Sequence, residues 1–357
     1  MDVKRVLVTG GAGFVGTRLA VGLREWRSGL QVVALDNLRR RGSELNLARL
    51  RAADVDFVHG DIRCAEDLET AGPADLILEC SAEPSVLAGY GESPGDVLNT
   101  QLAGTINALE HARRHGAGVI FLSTSRVYPF DALRALRYVE KEERLEPATD
   151  QDIPGLSEHG IAEDFPLAGL RSLYGATKLS SELLLAEYCD MYGLPGVINR
   201  CAVITGPWQM GKADQGVVVL WMARHVFGGA LRYIGYGGTG KQVRDMLHVD
   251  DLLRLVLYQI EHLESCRGQC VNIGGGRECS LSLRELTRLC QEITGKRIPI
   301  ASEHEDRPAD IPWYITDHRR ITAASGWQPE HGVQDTLEDI YRWICEYRER
   351  LEPILGK

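Results

Sequence analysis

Residues 5–16 read RVLVTGGAGFVG, an apolar run that breaks into Gly10, Gly13 and Gly16 and leads into the helical stretch TRLAVGLREWRS. Glycines at that spacing between a strand and a helix allow a tight turn. They also let backbone N–H groups approach a pyrophosphate at the helix N-terminus. Glycines alone are only a turn, but the next apolar run, QVVALD, ends on Asp36, about 20 residues further on, as a dinucleotide fingerprint requires. A carboxylate there accepts hydrogen bonds from the adenosine ribose hydroxyls and repels a 2′-phosphate, so the pattern favours NAD over NADP. Arg39, Arg40 and Arg41 come next and read as a solvated basic turn.

The rest of the first 200 residues keeps the same rhythm. VDFVHGD, DLILECSA and GVIFLSTS are further buried-strand runs, separated by helical segments such as NTQLAGTINALEHARRHG. Strands that are apolar throughout and alternate with helices form a parallel sheet covered on both faces. The expected fold is α/β: a doubly wound parallel sheet of Rossmann type with a smaller C-terminal substrate-binding cap. Residues 1–200 and 243–276 are assigned to the sheet domain, and 201–242 and 277–357 to the cap. Phe130 to Arg171 interrupts the alternation as a long, polar, charged insertion, and loops of that length are usually functional or disordered.

Composition excludes several classes. A net charge of −10 argues against a nucleic-acid binder, which needs a basic surface. No run approaches the roughly 18 apolar residues of a membrane span, and the chain enters its first strand without a signal peptide. Nine cysteines without a C-x-x-C point to reduced thiols and a cytoplasmic protein.

Tyr174 and Lys178, in RSLYGATKLSSELLLAEY, lie four residues apart on one helical stripe, with Ala176, Leu179, Leu183 and Ala186 expected to pack on the opposite side. A free tyrosine, with a pKa of about 10, is a poor base at neutral pH. A nearby ammonium and a positive nicotinamide stabilise the phenolate. Ser123 and Thr124, at the end of a strand, offer the hydroxyl that completes such a set.

These segments, TGGAGFVG, ALDN, HGDIR, NTQLAGTIN, STSRVY, YGATK, INR and GKQVRDMLHVDDL in that order, make the whole chain resemble the extended short-chain dehydrogenases/reductases. The similarity is to the NAD-dependent nucleotide-sugar epimerases and dehydratases. The resemblance implies Thr124, Tyr174 and Lys178 as catalytic residues. It implies a cofactor site from Gly10, Gly13, Phe14, Val15, Gly16, Asp36, Asn37, Asp61, Ile62, Ser81, Ala82, Asn99, Ser123 and Cys201, together with Tyr174 and Lys178. Arg244 and Arg307 are expected at the nucleotide diphosphate, and Asp310 at the nucleoside or orienting Arg307. Glu83, Arg126, Gln215 and Tyr233 are further expected substrate contacts.

Within the family the chain is most similar to the CDP-paratose 2-epimerases, also called CDP-tyvelose epimerases. The match rests on DQG at 214–216, GTGKQVRDMLHVDD, NIGGG followed by SLSLRELTRL, and the insertion before SLYGATK. Where the dehydratases carry an Asp-Glu pair after the hydroxyl residue, this chain has Ser125 and Arg126, so dehydration is disfavoured. Related decarboxylases keep a Glu at the second of these positions and are disfavoured too. The expected reaction is therefore epimerisation of a nucleotide-activated hexose, at C2 of a CDP-sugar, by a homodimer. A UDP-hexose 4-epimerase and a non-catalytic NAD sensor are the alternatives. Departures from the family include Glu79 and Glu83 in ECSAEPS, Val203 and Thr205 in RCAVITGP, and Pro312. No metal is expected: His111 and His115 lie at i, i+4 but read as a solvated helix face. Cys266 and Cys270 read as spectators, and Trp208 and Trp221 as cap core.

Overall fold

The computed structural model describes residues 2–211 and 215–356; Asp214 of the DQG segment lies outside them. The chain divides into two compact units. The first is Met1–Val127, Leu173–Arg200 and Leu252–Val271, and the second is Tyr128–Ser172, Cys201–Asp251 and Asn272–Lys357.

The first unit is built on a seven-stranded sheet of β1 (Arg5–Thr9), β2 (Gln31–Asp36), β3 (Asp56–His59), β4 (Leu76–Glu79), β5 (Gly118–Thr124), β6 (Gly196–Cys201) and β7 (Cys270–Ile273). Their order across the sheet is β7-β6-β5-β4-β1-β2-β3. The pairings β1–β2, β2–β3, β1–β4 and β4–β5 are parallel. Strands β4 and β5 are buried along their whole length, which is why they read as unbroken apolar runs. Leu7, Val33, Leu35, Ile77, Leu109, Phe121 and Leu185 share one core between sheet and helices. The chain winds outward from β1 to β3, then crosses back to β4 and winds the other way. The crevice beyond the carboxyl ends of β1 and β4 is thus the topological switch point, where open α/β sheets bind ligands.

In the second unit, strand Val243–His248 pairs in parallel with Val203–Thr205 and Trp313–Tyr314 and antiparallel with Ser280–Ser282. Strand Leu231–Ile234 pairs with Ile300–Glu303. This explains why the observed boundary differs from the expected one. Residues 243–248 form ladder hydrogen bonds in this second sheet, and the seven-stranded sheet does not contain them. The 130–171 insertion is ordered: a helix at Phe130–Ala135 and two short ribbons, Tyr138–Glu140 with Leu145–Pro147 and Leu156–Ser157 with Gly160–Ile161. Leu145 N donates to Lys241 O at 2.9 Å and Ile161 N to Ile315 O at 2.8 Å, which stitches the insertion into this unit. The cap therefore takes a larger share of the chain than the sequence pattern assigns to it.

Candidate active site

The glycine turn leaves the end of β1. Gly10 has φ +63°, and a Cβ on Gly16 would lie 2.2 Å from Gly10 O, so neither position accepts a side chain without the turn opening. The helix Phe14–Trp26 begins at Gly13 with no side-chain cap and no acidic residue in its first turn. Its first N–H groups are thus left to an anion, and Phe14 and Val15 are half-buried beside them.

Asp36, at the end of β2, has a second role that the sequence did not reveal. Its Oδ2 accepts from Ala12 N at 3.1 Å and its Oδ1 from Leu38 N at 2.8 Å, so the carboxylate organises the glycine turn. Burial raises its pKa, against these backbone donors. Next to it Asn37 Nδ2 donates to Asp61 Oδ2 at 2.8 Å, and Arg63 holds the same carboxylate through Nε and Nη2 at 2.9 and 2.6 Å. The Arg63 guanidinium keeps the Asp61 carboxyl well below the usual range. Arg39 lies in an exposed turn, as expected, and there pairs with Asp96 through both terminal guanidinium nitrogens, Nη1 and Nη2. Ile62 is buried under Gly104. Ser81 is buried after β4, Ala82 and Glu83 are half-buried, and Glu83 Oε1 accepts from Ser85 N. Asn99 is exposed on a π-helical turn, Leu98–Ala103, inserted ahead of the helix Gly104–His115. Cys201 closes β6 and is buried.

At the end of β5 the two candidate hydroxyls separate. Ser123 donates to Glu182, and Glu182 is clasped by Arg200 through Nε at 3.1 Å and Nη2 at 2.8 Å. This buried ion pair beneath the site, not anticipated from the sequence, had a signal there in Glu182 standing one turn beyond Lys178 on the same stripe. Thr124 instead accepts from Arg126 N at 3.2 Å, which leaves its own proton to donate. Arg126 is half-buried in the short turn Ser125–Val127.

The Leu173–Tyr192 helix turns toward the sheet the face opposite to the one expected. Thr177, Lys178, Ser181, Glu182, Leu185 and Cys189 are buried, whereas Leu183 is 63% exposed and Ala186 is also exposed. Polar groups face inward because each has a partner. Gln101 Nε2 donates to Thr177 Oγ1 at 3.0 Å and Tyr174 O at 3.3 Å, and Ser181 Oγ to Gln101 O at 3.1 Å. Lys178 Nζ donates to Leu122 O at 2.9 Å and lies 4.5 Å from the Phe121 ring centre. Glu79 is the cross-strand neighbour of Phe121. Its carboxyl is fully buried, accepting from Thr105 Oγ1 at 3.2 Å through one oxygen, and burial raises its pKa against the pull of Lys178. Tyr174 is only half-buried, one turn before Lys178, with no side-chain hydrogen bond among the described residues, so its phenol is available to a ligand. The uncapped glycine turn, Asp36 and the Lys178 ammonium fit an NAD.

In the second unit Arg244 Nη2 donates to Asp310 Oδ1 at 2.9 Å and to Ile311 O. Asp310 thus orients Arg244, where Arg307 was one of the expected partners. Arg134, from the insertion and missed in the sequence, donates to Asp310 O at 2.7 Å and Arg307 O at 3.1 Å. Gln215 Oε1 is buried with no partner among the described residues. Tyr233 is half-buried, and its hydroxyl donates to Thr287 Oγ1 at 2.8 Å, which also receives Trp221 Nε1 at 3.0 Å. Trp208 lies in an aromatic cluster with Trp343 and Tyr347.

Comparison with known proteins gives the family. Residues 6–274 match the NAD dependent epimerase/dehydratase family. A CDP-paratose 2-epimerase from Salmonella typhi is 29% identical over 352 residues, 95% of this chain and 98% of that protein. A UDP-glucose 4-epimerase from Azospirillum brasilense is 28% identical over 99% of this chain and 94% of its own length. A dTDP-glucose 4,6-dehydratase double mutant from Streptomyces venezuelae, solved with NAD, superimposes with a TM-score of 0.79 at 29% identity, covering 98% of this chain and 99% of that one. The chain belongs to the NAD dependent epimerase/dehydratase family and is an NAD-dependent enzyme of the epimerase kind.

Proposed function

We propose that this NAD dependent epimerase/dehydratase family member inverts one carbon of a nucleotide-activated hexose through a transient ketone, with C2 of a CDP-paratose-type sugar as its substrate centre. The observation that carries the choice of reaction is the pair of residues directly after Thr124. Ser125 is buried and Arg126 half-buried in the Ser125–Val127 turn, where an elimination of water needs a pair of acids. NAD supplies the hydride acceptor and donor. Tyr174 removes the proton from the sugar hydroxyl, and Thr124 hydrogen-bonds that oxygen and helps to move the proton. Lys178, fixed by Leu122 O, holds the nicotinamide ribose and favours the phenolate. Once the ketone has turned over, the same groups return proton and hydride to the opposite face.

Substrate recognition falls to Glu83 and Arg126 at the sugar and to Arg244 and Arg307 at the diphosphate. Asp310 and Arg134 serve there as positioning residues, and Gln215 offers a substrate donor a buried oxygen that has no partner among the described residues. The preference for a cytidine nucleotide rests on the similarity to the Salmonella typhi CDP-paratose 2-epimerase. The protein is a homodimer through the outer faces of Gly104–His115 and Leu173–Tyr192, which expose Ile106, Leu183, Met191 and Tyr192. No helix among the described residues is long and apolar enough to cross a membrane.

The test is incubation of the purified protein with CDP-, UDP- and GDP-hexoses in deuterated water, followed by NMR. Inversion at C2 of a CDP-sugar without deuterium at that carbon is the expected result, and Tyr174→Phe is expected to slow it by roughly 10²–10⁴-fold. Inversion at C4 of a UDP-sugar selects the 4-epimerase reading instead. Deuterium at the inverted carbon would replace hydride return with deprotonation chemistry.

A further inference from the structure

Of the pair His111 and His115, only His115 lies on the solvated helix face. His111 is 1% exposed, and the end of the neighbouring helix Ala65–Ala71 brings a third group, Glu69, against both imidazoles. His111 Nδ1 faces Glu69 Oε1 at 3.4 Å, and its other nitrogen, Nε2, faces Gly72 O at 3.2 Å. His115 Nε2 lies 3.6 Å from Glu69 Oε2. We propose that Glu69, His111 and His115 form a site for a borderline divalent cation of the zinc class, which clips the end of the Ala65–Ala71 helix to the Gly104–His115 helix.

Three features carry this assignment. A neutral imidazole has one N–H and one lone pair. His111 presents both ring nitrogens to oxygen acceptors, so one lone pair meets an oxygen unless a second positive charge lies between them. A metal ion on Nδ1 supplies that charge and leaves the ring neutral. The spacing fits as well. An ion bound tetrahedrally at about 2.1 Å from nitrogen and oxygen donors sets those donors about 3.4 Å apart, which is the separation of His111 Nδ1 from Glu69 Oε1, and one ligand atom from each of the three residues lies within 4.8 Å of the others. The supporting contacts are those that metal ligands use: His111 donates its remote N–H to the Gly72 carbonyl, and Arg114 Nη1 holds Glu69 Oε1 at 2.7 Å, fixing the carboxylate while a second lone pair stays free. Glu69 and His115 are partly exposed, so an ion has a route in, and water completes the coordination. Two histidines, one carboxylate and an open position are a donor set that suits Zn²⁺.

The test is titration of the chelator-stripped full chain with Co²⁺, read by visible absorption, and with Zn²⁺, read by calorimetry and thermal unfolding. One equivalent of Co²⁺ is expected to bind with the d–d bands of a tetrahedral site and without a thiolate charge-transfer band, and Zn²⁺ is expected to displace it. Zn²⁺ also raises the unfolding temperature. His115→Ala and Glu69→Gln, which alter the exposed side of the site and spare the buried ring, should each weaken binding by at least roughly the 10–100-fold that loss of a supporting partner costs. They should also abolish the thermal shift. Absence of saturable binding, binding equally strong in both variants, or a thiolate band that assigns the ion to cysteines would each overturn the proposal.

Discussion

At the scale of single residues, buried charge is placed only where a partner or a task accounts for it. Glu182 has Arg200 and Ser123 as partners, and removing one member of such a buried pair typically costs about 3–5 kcal/mol. Asp245, wholly buried in the second unit, is held less well. One oxygen accepts from Gly276 N at 3.1 Å, and burial pushes its carboxyl up to about 6. Because the folded chain holds this proton more tightly than the unfolded one, the stability it confers is complete below the unfolded value of about 4 and is lost as pH rises through about 6. Wild type is therefore expected to lose roughly 2–3 kcal/mol relative to Asp245→Asn between about pH 4 and pH 8. Urea unfolding of both proteins across that range measures it, and parallel curves would place the titration elsewhere.

At the scale of elements, the Leu173–Tyr192 helix is the informative one. Its inward face is polar because Thr177, Lys178, Ser181 and Glu182 are committed to Gln101, the Leu122 carbonyl and Arg200. Its outward face keeps Leu183, Met191 and Tyr192 exposed. Helical periodicity located a stripe correctly but assigned the apolar side to the core, because the period does not say which face the sheet receives. If the outer face is the contact between two copies, Leu183→Glu places a charge on each side of the interface. The variant should run as a monomer in light scattering at concentrations where the wild type is a dimer, with its circular dichroism unchanged. A wild-type monomer, or a variant that stays dimeric, would remove this face from the assembly.

At the scale of the whole molecule, the insertion at 130–171 is part of the second unit's architecture. Phe130 N donates to Leu170 O at 2.9 Å, so the segment begins and ends at one place and can be excised without stretching the chain. Yet Arg134 holds the Arg307 and Asp310 carbonyls, Ser282 Oγ donates to Glu143 O, and the Leu156–Ile161 ribbon bonds Ile315. Replacing residues 131–169 with a short glycine-serine linker is expected to expose the second unit to proteolysis and delete its thermal transition, while the first unit keeps its fragment pattern. Equal protease resistance in both units would show the insertion to be an accessory.

The sequence by itself determined the parallel sheet, whose strands are written as unbroken apolar runs alternating with helices, and the dinucleotide turn and the Tyr174–Lys178 stripe, which depend on residues near one another in the chain. Gly10, Gly13 and Gly16 build their turn within one strand-helix junction, and Tyr174 and Lys178 align through helical repeat alone. Only the tertiary structure decided which face of the Leu173–Tyr192 helix is buried, that Ser123 serves Glu182 while Thr124 keeps its proton to donate, that Asp310 orients Arg244, and that Glu69 meets His111 and His115. Each of these pairs side chains from different elements, and their hydrogen bonds and burial exist only after the sheet and its helices have packed.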